Sequence, residues 1–360
     1  MADLSRPAPT KRLFRLLAVV ATVAMVAGGC TGGGDDADGN AAVPGDQAAA
    51  GRERDNILTV YSRTRDSELF EMFEKETGVK VRARWGNFED LADQIIEDGA
   101  DSPADVFYAP LSDALGLLSA AGRLATLTDE KLDRVPQAYR SPEGTWVGTS
   151  GRAHVVVYNT DQVSEDDLPD SILGFTDPAW RGRIGWDPAN RSLQGVITAL
   201  RQLEGEDEAR AWLAGVQANT PAVFDGPRPI IKAVAAGKII DVGFANHYYL
   251  DELQTDRDAT NVAAKFYSGD PGGLLQVAGV GIIKGTDNEA AANAFVDFLL
   301  SPTAQRYIAE VNLEIPLAEG IEPPEGTPTV DKLTVPNLDV RQLEDLQGTR
   351  ELLTETGIIM

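Results

Sequence analysis

The stretch Gly279–Glu310, GVGIIKGTDNEAAANAFVDFLLSPTAQRYIAE, decides how this chain folds. Gly279–Lys284 is a short apolar run of strand character, and the amphipathic pattern from Asn288 to Leu300 predicts a long helix directly after it. The Ser301-Pro302 pair ends that helix, and Thr303–Glu310 begins another. This strand–helix step belongs to a series that starts far upstream. Ile57–Tyr61 reads as a strand and Ser67–Thr77 as a helix, with Leu69, Phe70 and Phe73 on one face and Gly78 as its stop. Val79–Ala83 alternates like a strand, and Phe88–Asp98 is helical with Leu91, Ile95 and Ile96 inward. Ala104–Tyr108 is a short buried strand and Leu111–Ala121 a helix closed by Gly122. That βαβα order predicts an α/β lobe built on a largely parallel sheet.

The strongly β run Val155–Tyr158 leads out of this lobe, and a second α/β set follows. Its members are Ile184–Trp186, helices over Gln194–Leu203 and Ala209–Val216, and the segments Ile230–Ala236 and Asp241–Ala245. There is no internal repeat of solenoid length. At 360 residues the chain is too long for one ordinary core and suits two lobes.

The N-terminus reads differently. Lys11, Arg12 and Arg15 precede an apolar run from Leu16 to Ala27, which is about half the ~20 residues a spanning helix needs, so it is a signal h-region. Ala27-Gly28-Gly29-Cys30 follows, and it resembles the lipobox of bacterial lipoproteins, with Ala27 where Leu or Val is usual. Cys30 is the only cysteine, so no internal disulfide exists, and its place at the cleavage point marks it for lipidation. Thr31–Asp55, nearly devoid of large apolar residues, is a flexible tether.

The formal net charge is −24, and the first 29 residues are basic, so the remainder is more acidic still. Such a surface repels nucleic acid, and no basic stripe interrupts it. Two histidines and one committed cysteine leave no nucleophilic triad. No G-x-S-x-G elbow, Walker loop, H-E-x-x-H or EF-hand loop is present, and acidic pairs such as Asp166-Asp167 read as solvated surface. The expectation is a binding protein and not an enzyme.

The return segment Gly279–Glu310 resembles that of ABC-importer solute-binding proteins. TGVK (77–80), SPADVFY (102–108), SGRAHVVVYN (150–159), WRGRIG (180–185), FANHYYL (244–250) and DPG (270–272) extend the resemblance. In that order they are similar to the periplasmic ferric-ion-binding, transferrin-like family, over roughly residues 56–357. The resemblance implies an α/β, two-lobed clamshell of type II, with two crossover hinge strands near His154–Asn159 and Gln276–Ala278. Residues 1–29 are then the signal peptide and 30–55 the lipidated tether; 56–152 with 277–320 form the N-terminal lobe, and 153–276 with 321–360 the C-terminal lobe. The implied function is capture of ferric iron, with a synergistic carbonate or phosphate, and delivery to an ABC permease and its ATPase. The expected protein is a monomer, extracytoplasmic and held to the cell membrane by its N-terminal lipid.

Tyr248 and Tyr249 carry the chemistry. Adjacent residues of a strand face opposite sides, so both could not reach one ion from a strand. Asp241–Ala245 reads as a strand, however, and Asn246 as the cap of a helix running through Leu253, which puts both phenols at the junction. Ferric iron is a hard cation that prefers anionic oxygen, and its charge would remove the phenolic protons. Spacing alone favours packing at a helix start; the surrounding motif favours ligation.

Other positions depart from the family. Arg65 stands where a His ligand is usual and cannot donate to a cation; Pro110 stands where a Glu is usual. Arg152 resembles the arginine that holds the anion in some relatives, with Arg65 and Arg228 as further positive charge. Asn190, Ser192 and Asn246 match anion-contact loops, while Pro227 replaces an Asn. His247 reads as structural or supporting, and His154 as a buried core histidine. Two other readings stay open: a same-fold protein for a phosphonate, thiamine-like compound or iron chelate, and an extracytoplasmic enzyme or adhesion lipoprotein.

Overall fold

The computed structural model describes residues 56–63, 66–255, 259–333 and 345–359. Cys30, the signal and tether segments and Arg65 lie outside the described residues. The first helices and strands alternate as the hydrophobic pattern predicts: β1 (Ile57–Ser62), α1 (Ser67–Thr77), β2 (Lys80–Trp85), α2 (Phe88–Asp98), β3 (Val106–Ala109), α3 (Ser112–Ala120) and the short α4 (Asp129–Leu132). Helix α1 buries Leu69, Phe70 and Phe73, and Gly78 closes it in the left-handed conformation that L side chains avoid. Asn87 caps α2, its side chain accepting from the Glu89 amide.

The longest strand, β4 (Val147–Asn159), has 13 residues, a span of about 43 Å. Then come β5 (Ile184–Trp186), α5 (Arg191–Glu204), α6 (Glu206–Ala218), β6 (Ala222–Val223), α7 (Pro227–Ala236), β7 (Val242–Asn246), α8 (His247–Thr255) and β8 (Val262–Lys265). Last are β9 (Leu275–Ile282), α9 (Glu289–Leu299), α10 (Pro302–Glu310), β10 (Ile315–Pro316) and α11 (Leu346–Glu355).

Strand order in the sheet is β2-β1-β3-β9-β4-β7-β5-β6, with β8 and β10 also paired to β4. Strand β4 changes partners midway: Val147–Ala153 lies against β9, and His154–Tyr158 against β7. Strand β9 does the same, pairing with β4 over Leu275–Val280 and with β3 over Gly279–Ile282. These two strands therefore join a first half (β1–β3, α1–α3) to a second (β5–β7, α5–α8). The strand expected at Gly279–Lys284 and the crossover expected at Gln276–Ala278 are one continuous β9, because small residues let it pass close to its neighbours. A Cβ at Gly279 would lie 2.8 Å from the Val147 carbonyl oxygen.

The chain returns to the first half after β9. Phe295 of α9 packs edge-on against Phe73 at 5.0 Å and Phe70 at 5.5 Å between ring centroids. Ser301 caps α10, accepting from the Ala304 amide, with Pro302 at its first turn. A second core cluster gathers Trp186, Trp212, Phe175, Phe244 and Leu200, and α11 closes it with Leu352 and Leu353. Among the described residues no helix is long and apolar enough to cross a membrane.

Candidate functional site

Strand β7 ends at Asn246 and α8 starts at the next residue, so Tyr248 and Tyr249 occupy the first helical turn. Successive residues there are turned by about 100°, not 180° as in a strand, and the two rings converge at 4.2 Å between centroids. The N-terminal end of α8 also carries the positive end of the helix dipole, which favours phenolate over phenol. In the absence of a cation, burial and then the neighbouring Tyr249 push the Tyr248 hydroxyl well above the ordinary phenol range, with Arg152 working against them. Arg228 lies 4.8 Å over the Tyr249 ring. It is also bound to Glu252 at 2.6 Å, so its charge is already balanced.

Arg152 comes from β4, facing the tyrosines. Its Nη2 donates to the Pro110 carbonyl at 2.6 Å. Its Nε sits 3.1 Å from Glu314 Oε1, an ion pair whose N–H is not aimed at the carboxylate. Burial works against the guanidinium charge, but Glu314, Tyr248, Tyr108 and Asp66 more than offset it. Ser150, two residues earlier on the same face of β4, donates its hydroxyl to Glu314 Oε2. Asp66 lies beside this pair. Burial, then repulsion from Glu314, raises its carboxyl to about 6, and Arg152 and Asn312 pull the other way. Tyr108, buried at the end of β3, is raised by burial and by Asp66 and Glu314.

The sequence-derived anion candidates separate into two places. Asn190, Ser192 and Asn246 line one small cavity of ≈ 10 Å³, room for about one water, together with His154, Asp187 and Pro227. Asn190 spends its side-chain oxygen capping α5, accepting from the Ser192 amide at 2.8 Å. The Ser192 hydroxyl and the Asn246 amide nitrogen are buried there with no protein partner. Arg152 does not line that cavity; it is held on Glu314.

His247 turns away from the phenol pair: its Nδ1 accepts from the Ala153 amide at 3.1 Å, and burial drives its pKa down to about 4. His154, also buried, has Nδ1 3.4 Å from the Gly272 carbonyl and is likewise lowered to about 4.

Glu314, Asp66 and Tyr108 escaped sequence reasoning. Their placement depends on β10 pairing with β4 and on β3 pairing with β9, contacts more than 150 residues apart in sequence. The one local trace was the carboxylate just before the Ile315-Pro316 dipeptide. Among the described residues no group of three His, Cys, Asp or Glu is placed to hold a metal.

Comparison with known proteins identifies the architecture. Residues 101–340 match the family described as bacterial extracellular solute-binding protein. An Fe(3+)-binding periplasmic protein of Serratia marcescens is 33% identical over 293 residues, covering 80% of this chain and 85% of its own. Iron-bound HitA from Pseudomonas aeruginosa superposes with a TM-score of 0.73 at 31% identity, over 84% of this chain and 99% of that one. A Trichodesmium protein solved with iron and citrate gives 0.72 at 29% identity, over 84% and 99%. The expected clamshell of two α/β lobes, joined by β4 and β9, is therefore the fold of this protein. The chain belongs to the bacterial extracellular solute-binding proteins, within the group of periplasmic ferric-ion-binding proteins of ABC importers.

Proposed function

We propose that this protein captures ferric iron between its lobes through Tyr248 and Tyr249 and delivers it to an ABC permease and its ATPase. The observation that carries the reading is the convergence of the two phenols at 4.2 Å at the start of α8. Two phenolates are hard, anionic donors, a good half-site for Fe(III) and a poor one for zinc or calcium. Unloaded, Tyr248 holds its proton firmly; a trivalent cation supplies the charge that releases it.

A synergistic anion, carbonate or phosphate, or the carboxylate of a chelator, completes the coordination that two phenolates leave open. The Ser192 hydroxyl and the Asn246 amide are unpartnered donors, but their cavity has room for about one water and not for an anion of that size. The lobes divide, in this reading, into 56–152 with 277–320 and 153–276 with 321–360. Residues 1–29 act as export signal, and lipidated Cys30 with the tether to Asp55 holds the protein to the outer face of the membrane. A multiply acylated terminus suits this, since one acyl chain anchors only marginally.

Titration with a ferric chelate, read by visible absorption, tests the reading. A tyrosinate-to-iron charge-transfer band should appear in the wild type and be lost in Tyr248→Phe and Tyr249→Phe. A protein that stays colourless in every buffer would instead point to an organic or chelated cargo in the same cleft.

A further inference from the structure

Strand β10 is antiparallel to β4, with Ile315 opposite Gly151 and Pro316 opposite Ser150. Extending that register by one residue sets Glu314 directly across from Arg152, the arrangement in which opposite charges on neighbouring strands meet. Both side chains are largely withdrawn from solvent, at 17% and 15% exposed. Ser150 binds the second carboxylate oxygen, so Glu314 is held from two points of one strand face. The residue before it, Leu313, has φ 56, the left-handed region that a side chain disfavours. Strain of this kind persists where surroundings over-determine a conformation, and it gathers at ligand sites.

The Glu314 charge acts on its neighbours Arg152, Tyr108 and Asp66 alike. An exogenous carbonate on Arg152 would have to sit beside this covered carboxylate and share one guanidinium with it, and two neighbouring anions withdrawn from water repel each other.

We propose that Glu314 is a built-in counter-anion on Arg152, taking the place of a synergistic carbonate, so that iron loads at Tyr248 and Tyr249 without added bicarbonate. This rests on the ferric-iron reading.

The test titrates ferric nitrilotriacetate into the purified protein, in bicarbonate-depleted buffer and in the same buffer with bicarbonate, and follows the charge-transfer band. The wild-type midpoint should move by less than about threefold between the buffers. Glu314→Gln should weaken by roughly tenfold or more without bicarbonate, the scale of one charge-assisted contact, and recover when bicarbonate is added. Ser150→Ala should shift the same way by less. A wild type that needs bicarbonate overturns the proposal whether or not the variants fold, and so does a Glu314→Gln protein that matches wild type in both buffers. Absence of any band in the wild type overturns the iron reading, and the proposal with it; a bicarbonate-dependent band overturns the proposal alone.

Discussion

Arg191, the first residue of α5, places its Nη2 2.8 Å from Oδ2 of Asp113 in α3. The same guanidinium reaches Glu89 of α2 at 2.7 Å and lies 4.8 Å over the Phe88 ring. One side chain of the second lobe thus binds two helices of the first, away from the strands that connect them. Asp113 is well covered: burial raises its carboxyl, and Arg191 is the main influence holding it down.

Arg191→Ala should therefore loosen the contact of α5 with α2 and α3. Removing a charge-assisted bond to a covered carboxylate costs about 1–2 kcal/mol, which corresponds to roughly tenfold faster iron release. Small-angle scattering should show a larger radius of gyration in the iron-free variant. An unchanged release rate together with an unchanged radius would refute the bridge.

His154 should make the protein acid-sensitive. Its pKa is lowered by burial from 6.5 to about 4, so the folded state refuses a proton that the unfolded chain accepts. The stability it contributes is intact above pH 6.5 and is lost as pH falls towards 4, by about 3 kcal/mol in full. Urea denaturation of His154→Gln should show a smaller loss between pH 7.5 and 4.5 than the wild type. Parallel loss in both proteins would show that this ring does not set the slope.

Asp66 works in the opposite direction. Its carboxyl, raised from 3.8 to about 6, binds a proton more tightly folded than unfolded, so stability is fully present below pH 3.8 and declines as pH rises through 6. Asp66→Asn should gain up to about 3 kcal/mol at pH 7.5 and lose that advantage near pH 4. Because the Asp66 and His154 windows overlap with opposite signs, the wild-type curve conceals both and only the paired variants separate them. An Asp66→Asn protein no more stable than wild type at pH 7.5 would count against the raised carboxyl.

Gly243, in β7 just ahead of the tyrosine pair, has no room for a side chain. A Cβ there would sit 2.2 Å from Cγ2 of the fully buried Ile230. Gly243→Ala should destabilise the fold by about 1–3 kcal/mol, the usual scale of overpacking, and weaken iron binding by displacing β7. Thermal melting checks the first effect and the charge-transfer titration the second; a variant equal to wild type in both would contradict the packing.

Most elements were legible because their signals are local. The spacing of Leu69, Phe70 and Phe73, the stop at Gly78 and the Ser301-Pro302 break each lie within a dozen residues, and the structure places α1 and the α9–α10 pair accordingly. In the sequence, the run Gly279–Lys284 and the crossover near Gln276–Ala278 are separate signals. Leu275–Ala278 belongs to the same β9, and its pairing with β4 is not visible from periodicity. The tyrosine pair was legible as a strand-to-helix junction, since the change of period from 2 to 3.6 falls between Ala245 and Tyr248. Arg152 was legible as a charge, and its partner was not.

By itself, then, the sequence determined the alternation of strands and helices, hence the two α/β lobes, and the placing of two adjacent phenols where their side chains can converge. Only the tertiary structure decided what surrounds them. Strand β10 brings Glu314 onto Arg152, β3 brings Tyr108 beside Asp66, and α5 and β7 close a cavity around Ser192 and Asn246. The reason is physical: propensity and periodicity act between near neighbours. The register of two strands more than 150 residues apart is chosen by the packing of the whole sheet, and a one-residue slip would turn Glu314 to the other face.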